Sequence, residues 1–253
     1  MQILEKLLDK NGLVAGILVI ALIILFSEIF TKKVLKNKIP SSALAILMGL
    51  VLAYIGGLFS GGEKGLADIE IFKGVGVLGG SMFRDFSIVA SALGASFLVM
   101  KRAGFLGLMS LLVGITFFFI AGVAIAYIWG YRDAVSLCTI GAGACTYIVG
   151  PVTGAALNAS SEVMALSIAA GVVKAIAVTI LTPVFAKKIG LNNPEAAMAY
   201  GGLMGTNSGV AAGLAATDPA LVPYGTVTAT FYTGLGCLVC PSLFYLFINL
   251  FIK

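Results

Sequence analysis

Histidine is absent from all 253 residues, which removes the usual proton shuttle and the commonest metal ligand. Charge is scarce as well, at 11% of positions, with 11 acidic residues against 16 basic ones. So few carboxylates leave no convergent acid/base set, and there is no HExxH, no G-x-S-x-G elbow, no P-loop and no dinucleotide fingerprint in context. The chain therefore reads as a non-enzyme without a resident cofactor. Cysteines number only four (Cys138, Cys145, Cys237, Cys240). Cys237-x-x-Cys240 has a metal-like spacing, but with no second pair and no histidine beside it, packing as small apolar residues is the competing reading. The net charge of +5 is no nucleic-acid signature, because the lysines cluster between apolar runs, where membrane topology explains them.

What is abundant is apolar surface: 60% of residues, with a mean hydropathy of +1.08. No soluble domain tolerates that balance, and the runs are continuous rather than alternating, which excludes a β-barrel. The expectation is an all-α polytopic membrane protein. Runs of spanning length lie near 12–30, 42–59, 86–100, 104–129, 163–185 and 221–252. Segments 134–158 and 195–217 are apolar enough to insert yet broken by polar and small residues. Together they make roughly eight membrane segments in one transport domain, 1–253. Segment 71–85 is short and Gly-rich, and its status stays open. Met1–Asn11 is mixed in charge and reads as no cleavable signal.

Lysines set the orientation. Lys32, Lys33, Lys36 and Lys38 place the first loop in the cytoplasm, Lys101–Arg102 returns there, and the Trp129–Asp133 turn lies outside. A single crossing at 134–158 would then strand Lys187–Lys188 outside. The positive-inside rule therefore favours a re-entrant hairpin at 134–158, and by the same logic 195–217 dips from the cytoplasmic face. Two hairpins meeting from opposite faces would be the inverted-repeat arrangement that elevator-type transporters use. An internal similarity, Gly79–Ser96 over Gly143–Ser160 with a shared Ala-Leu-x-Ala-Ser, is either a trace of such a repeat or chance.

Lys174 is the residue that most needs explaining. It stands at the centre of the apolar run 163–185, with Ala170, Gly171, Ala177 and Val178 as its helical neighbours. A lysine near the midplane costs about 2.5–3.5 kcal/mol on the gentlest insertion scale, so another segment or a bound solute must satisfy it. In the block Cys145-Thr-Tyr-Ile-Val-Gly-Pro-Val-Thr153, Pro151 lacks the N–H that would bond the carbonyl four residues back, and Thr146, Tyr147 and Thr153 add hydroxyls. Freed carbonyls and hydroxyls at depth suit a hard cation; a kinked helix with self-bonded hydroxyls is the plainer alternative. Gly201, Gly205, Gly209 and Gly213 form a small-residue stripe along one helix face, fit for close packing. Between them stand Thr206, Asn207 and Ser208, an unusually polar triplet for a span. Arg84–Asp85 is either an interfacial pair or a source of charge for the site. Glu162 is either a cap at the start of the Lys174 helix or a cation ligand. Glu28 and Lys32 read as a boundary pair, and Thr226, Thr230 and Thr233 as hydroxyls bonding back to their own helix.

The stretches GACTYIVGPVTGAALNASSEVMALSIAAGVVKAIAVTILTPVFAKKIG (143–190) and AYGGLMGTNSGVAAGLAATDPALVPYGTVTATFYTGLGCLVCP (199–241) resemble the MadM subunit of bacterial malonate:sodium symporters. More distantly they are similar to the LrgB/CidB membrane family, from which the chain departs in having Asn207-Ser-Gly209 and no histidine. The first resemblance implies malonate as substrate, Na⁺ as coupling ion, a smaller partner subunit MadL, and residence in the cytoplasmic (inner) membrane, with a higher oligomer left open. On that basis the anion falls to Lys174, Arg84, Thr146, Tyr147, Thr153, Asn207 and Ser208. The sodium falls to oxygens at Thr146, Pro151, Thr153, Thr206, Asn207 and Glu162. The competing function is a holin-like or passive export pore of the LrgB/CidB type, against which a unique midplane charge speaks. A third is an assembly subunit whose partner holds the site.

Overall fold

A computed structural model describes residues 11–36, 41–61, 68–69, 72–78 and 97–252. Every regular element among them is helical. Among the described residues four helices are long and apolar enough to cross a membrane: Gly12–Lys33, Gly104–Ile128, Ser161–Phe185 and Pro219–Phe251. These answer the runs at 12–30, 104–129, 163–185 and 221–252, and Ser41–Ser60 answers the run at 42–59. Most of the run at 86–100, the Gly79–Ser96 similarity and Arg84–Asp85 lie outside the described residues.

The chain divides into two compact units, 1–87 and 88–253. In the first, α1 (Gly12–Lys33), α2 (Ser41–Ser60) and α3 (Lys73–Leu78) pack together. Ser27 Oγ donates to Met48 Sδ at 3.4 Å across α1 and α2. The expected Glu28–Lys32 pair is present at 2.6 Å. Only Gly16, Ser27 and Thr31 are buried on α1, so nearly its whole apolar circumference is left for lipid or a partner.

The second unit contains the site. α4 (Phe97–Ile128) breaks at Gly104, whose φ of 60° no helix accommodates. After the Trp129–Asp133 turn come α5 (Ala134–Cys145) and α6 (Val149–Ala156), then the long α7 (Ser161–Phe185). α8 (Pro194–Met204) and α9 (Asn207–Ala215) follow, and the chain closes with α10 (Val222–Val239), a π-helical turn over Cys240–Phe244 and α11 (Tyr245–Phe251). Pro241 cannot donate within that turn, which accounts for the local widening. Asp133, Ser160 and Asn193 cap α5, α7 and α8 through their side chains.

Segment 134–158 doubles back on itself. A Cβ on Gly150 would lie 2.8 Å from the Cα of Gly143, and one on Gly154 would lie 2.8 Å from Thr139 Cγ2. These pairings step outward from 146–147, so α5 and α6 form an antiparallel hairpin. Segment 195–217 also reverses direction, with its arms leaning on α10 instead of on each other. Along α8 the contacts on α10 climb, from Ala197 against Gly225 to Gly205 against Tyr232. Along α9 they descend, from Asn207 bonded to Thr230 to Val210 against Gly225. The glycine stripe is therefore not one helix face. Gly205 adopts φ 67° and ends α8, so Gly201 and Gly205 belong to one arm and Gly209 and Gly213 to the other. The close-packing role survives with separate partners: Gly201 meets Gly225, Gly209 meets Ala175 and Gly213 meets Thr182.

Among the described residues three buried apolar clusters stand behind the hairpins, the third made by Ala126, Leu137, Ile140 and Val163. Leu111, Ile115, Phe119, Ala142, Val149, Tyr232 and all four cysteines pack around the first. Val178, Ala197, Val210, Leu214 and Ala229 pack around the second.

Candidate functional site

The two breaks meet at the middle of α7. The first hairpin is rooted where α4 ends and α7 begins, the second where α7 ends and α10 begins. Their tips nonetheless touch: the hydroxyls of Tyr147 and Ser208 hydrogen-bond at 3.1 Å. Both tips need glycine for their approach to α7. A Cβ on Gly171 would strike the backbone of Tyr147, and one on Gly209 would lie 2.7 Å from the Ala175 carbonyl oxygen.

Lys174 lies at this meeting point and is satisfied by protein groups. Its Nζ donates to the Cys145 carbonyl at 2.7 Å. The ammonium also sits 3.4 Å from the centre of the Phe118 ring and 5.1 Å from that of Tyr232, distances at which a desolvated cation is attracted by the ring faces. Tyr232 is wholly buried, donates through its hydroxyl to the Gly114 carbonyl at 3.2 Å, and lies against Gly205 at the second tip. One ammonium thus bears on the first tip directly and on the second through an aromatic ring.

The Cys145 carbonyl is free because of Thr146. In an unbroken helix the Val149 N–H would bond it; here Thr146 Oγ1 accepts from Val149 N at 3.0 Å and from Ile148 N at 3.2 Å. Thr146 is thus the cap of α6, and the carbonyl it releases is taken up by Lys174. Pro151 sits in the first turn of α6, where a missing N–H costs little; the carbonyl four residues back is that of Tyr147, inside the break.

At the second break the same residue type behaves differently. Thr206 occupies the capping position of α9, yet its side chain makes no capping bond. Its Oγ1 is buried without a partner, as is that of Thr153 on α6. Asn207 is exposed and donates from Nδ2 to Thr230 Oγ1 at 3.2 Å. Thr226, Thr230 and Thr233 each bond a carbonyl of their own helix, as expected.

Of the candidate residues, Lys174, Thr146, Tyr147, Asn207, Ser208 and Thr206 are brought together at the tips. Thr153 lies further along α6. Glu162 is exposed in the first turn of α7, roughly 18 Å along the helix from Lys174 at 1.5 Å per residue, and does not join the group. Arg84 is outside the described residues. Phe118, Tyr232 and the Cys145 carbonyl escaped the sequence reading, because nothing in spacing tells which aromatic of another span faces a given lysine. The four cysteines share a core with α10, where Cys138 Sγ donates to the Cys240 carbonyl at 3.2 Å.

Among curated proteins and among solved structures nothing matches the chain. One family model, described as the malonate/sodium symporter MadM subunit, matches residues 4–252, nearly the full length and both hairpins included. The chain belongs to the malonate/sodium symporter MadM subunit family.

Proposed function

We propose that this chain carries the translocation site of a sodium-coupled malonate uptake system, working in the cytoplasmic membrane beside a smaller MadL subunit. The observation that supports it best is the meeting of two hairpin tips, rooted at opposite ends of α7, around a lysine halfway along that helix. Arms of 8–12 residues reach about 12–18 Å, half of a hydrocarbon core of roughly 30 Å. Each hairpin then enters from one face and returns to it, and irregular backbone at that depth belongs beside a cavity.

The α5 and α8 starts stand sixty residues apart, as do Thr146 and Thr206 in the two breaks. A long helix followed by a hairpin occurs twice, in opposite directions, which supports an inverted-repeat carrier of elevator type acting as one transport domain. Lys174 supplies positive potential for a dicarboxylate. Sodium, as co-transported substrate, falls to oxygens of the first hairpin: the unpartnered Thr153 hydroxyl, Thr146, and the Tyr147 carbonyl released by Pro151. Carrying Na⁺ with the dianion reduces the net charge moved, which gives the coupling a physical reason.

Uptake of labelled malonate into vesicles holding this chain and its partner subunit tests the reading. Accumulation driven by an inward sodium gradient is expected. Sodium-independent equilibration would instead fit a passive pore.

A further inference from the structure

We infer that the Cys145 carbonyl is a ligand of the co-transported sodium, and that Lys174 holds its place as a tethered ammonium until the ion arrives; this rests on the carrier reading above. A carbonyl released by a helix break at membrane depth is a good partner for a cation. Cys145 supplies one, because Thr146 has taken the Val149 N–H. The Tyr147 carbonyl, released by Pro151, lies two residues on in the same break. The group that claims the Cys145 oxygen is itself a cation, at 2.7 Å. It also lies 3.4 Å from the centre of the Phe118 ring and 5.1 Å from that of Tyr232, and ring faces hold ammonium and metal cations alike. Among the described residues no carboxylate is paired with Lys174. The ammonium thus rests among cation ligands, without a counter-charge of its own.

Sodium and the ammonium exclude each other here, because two positive charges on one oxygen repel strongly away from bulk water. A dicarboxylate lifts the exclusion. Lys174 is half-buried, and α7 meets both tips in the same stretch, with Gly171 against Tyr147 and Ala175 against Gly209. The half-buried hydroxyls of Tyr147 and Ser208, bonded to each other at 3.1 Å, belong to those tips. A malonate carboxylate taken between the tips would draw the flexible four-carbon stem toward it. An ammonium bonds a carboxylate more strongly than a neutral carbonyl, so it leaves Cys145 for the anion and sodium takes the oxygen given up. One sodium, one ammonium and one dianion then sum to zero charge, which suits burial together. Each substrate completes the site of the other, and that is the coupling.

The experiment measures labelled sodium binding to the full chain, purified from membranes with its partner subunit, without and with saturating malonate. In the unaltered protein malonate should lower the sodium Kd about tenfold, an ordinary size for coupling between two sites. Lys174→Met keeps the stem and removes the charge. Its sodium Kd without malonate should fall about tenfold, and malonate should no longer shift it. Removing a lysine that merely supports the fold would not tighten sodium binding, so an unchanged or raised sodium Kd in Lys174→Met overturns the inference. So does a sodium Kd that malonate still lowers in that variant. Should Lys174→Met fail to fold, Lys174→Gln, which keeps a polar end without the charge, decides by the same criteria. The ligand itself is read by infrared spectroscopy with an isotope-labelled cysteine carbonyl, in a chain carrying Cys138→Ala, Cys237→Ala and Cys240→Ala. Sodium added with malonate should shift the Cys145 carbonyl band; a band unmoved while sodium binds overturns the inference. A sodium Kd that ignores malonate in the unaltered protein also overturns it, and sodium-driven uptake would then leave the carrier reading standing. Absence of that uptake overturns the carrier reading, and this inference with it.

Discussion

At the scale of single residues, the site is organised by who claims which hydrogen-bonding group. Thr146 takes the Val149 N–H, the Cys145 carbonyl is left over, and Lys174 takes that. Lys174→Ala removes the only charge from the middle of α7 and leaves the Cys145 carbonyl unpaired. The helix stays apolar enough to insert, so transport should be lost while the protein still reaches the membrane; labelled uptake against immunodetected membrane content measures both. Wild-type uptake would make Lys174 a tolerated packing residue. Thr146→Val keeps the shape and removes the cap. Two N–H groups then turn back toward the Cys145 carbonyl in competition with Lys174, and a loss of about 1–3 kcal/mol is expected from an unsatisfied buried group. Thermal unfolding in detergent reads it out. A midpoint equal to wild type would show that the cap is dispensable.

At the scale of elements, glycine decides how closely each hairpin approaches α7. Gly171 faces the Tyr147 backbone, which cannot yield as a side-chain end can. Gly171→Ala should push the first tip outward, cost about 1–3 kcal/mol as overpacking does, and lower transport. Gly234→Ala on α10 meets nothing within 4 Å and should be neutral or stabilise slightly through helix propensity; equal thermal midpoints for the two would refute the packing argument. Much of this was legible in the chain. Lys174 announced an unmet need, Gly150–Pro151 marked a break, and the lysines at 187–188 argued that 134–158 turns back. The second hairpin was only half legible, because Gly201 to Gly213 recur every four residues straight through the break. The spacing imitates one continuous helix, and only the positive φ of Gly205 reveals two arms. Thr146 and Thr206 make the same point, being one residue type in the two breaks with opposite hydrogen-bonding states. The aromatic partners of Lys174 depend on how α4 and α10 pack, which no local pattern records.

At the scale of the whole molecule, the prediction concerns which parts lie on which face. With the first hairpin returning to its own side, Lys187–Lys188 belongs in the cytoplasm. Cysteines at 187 and 188, in a background lacking the four buried native cysteines, should resist an impermeant reagent applied outside and react after permeabilisation. Labelling from outside would restore a simple crossing at 134–158 and remove the two-hairpin membrane topology with it. The meeting of the tips halfway along α7 has an electrical consequence. In the proposed topology an ion travelling from either face to the tips crosses about half of the membrane voltage, and the other half lies beyond. Moving one charge across the full potential is worth about 2.3 kcal/mol per 100 mV. Half of it alters the local concentration of a monovalent ion at the tips by roughly sevenfold per 100 mV. Sodium arriving from the positive side is enriched at the tips by that factor, and the dianion is driven away by its square. In the proposed carrier the cell's voltage would therefore favour the cation binding first, before any movement of the protein begins.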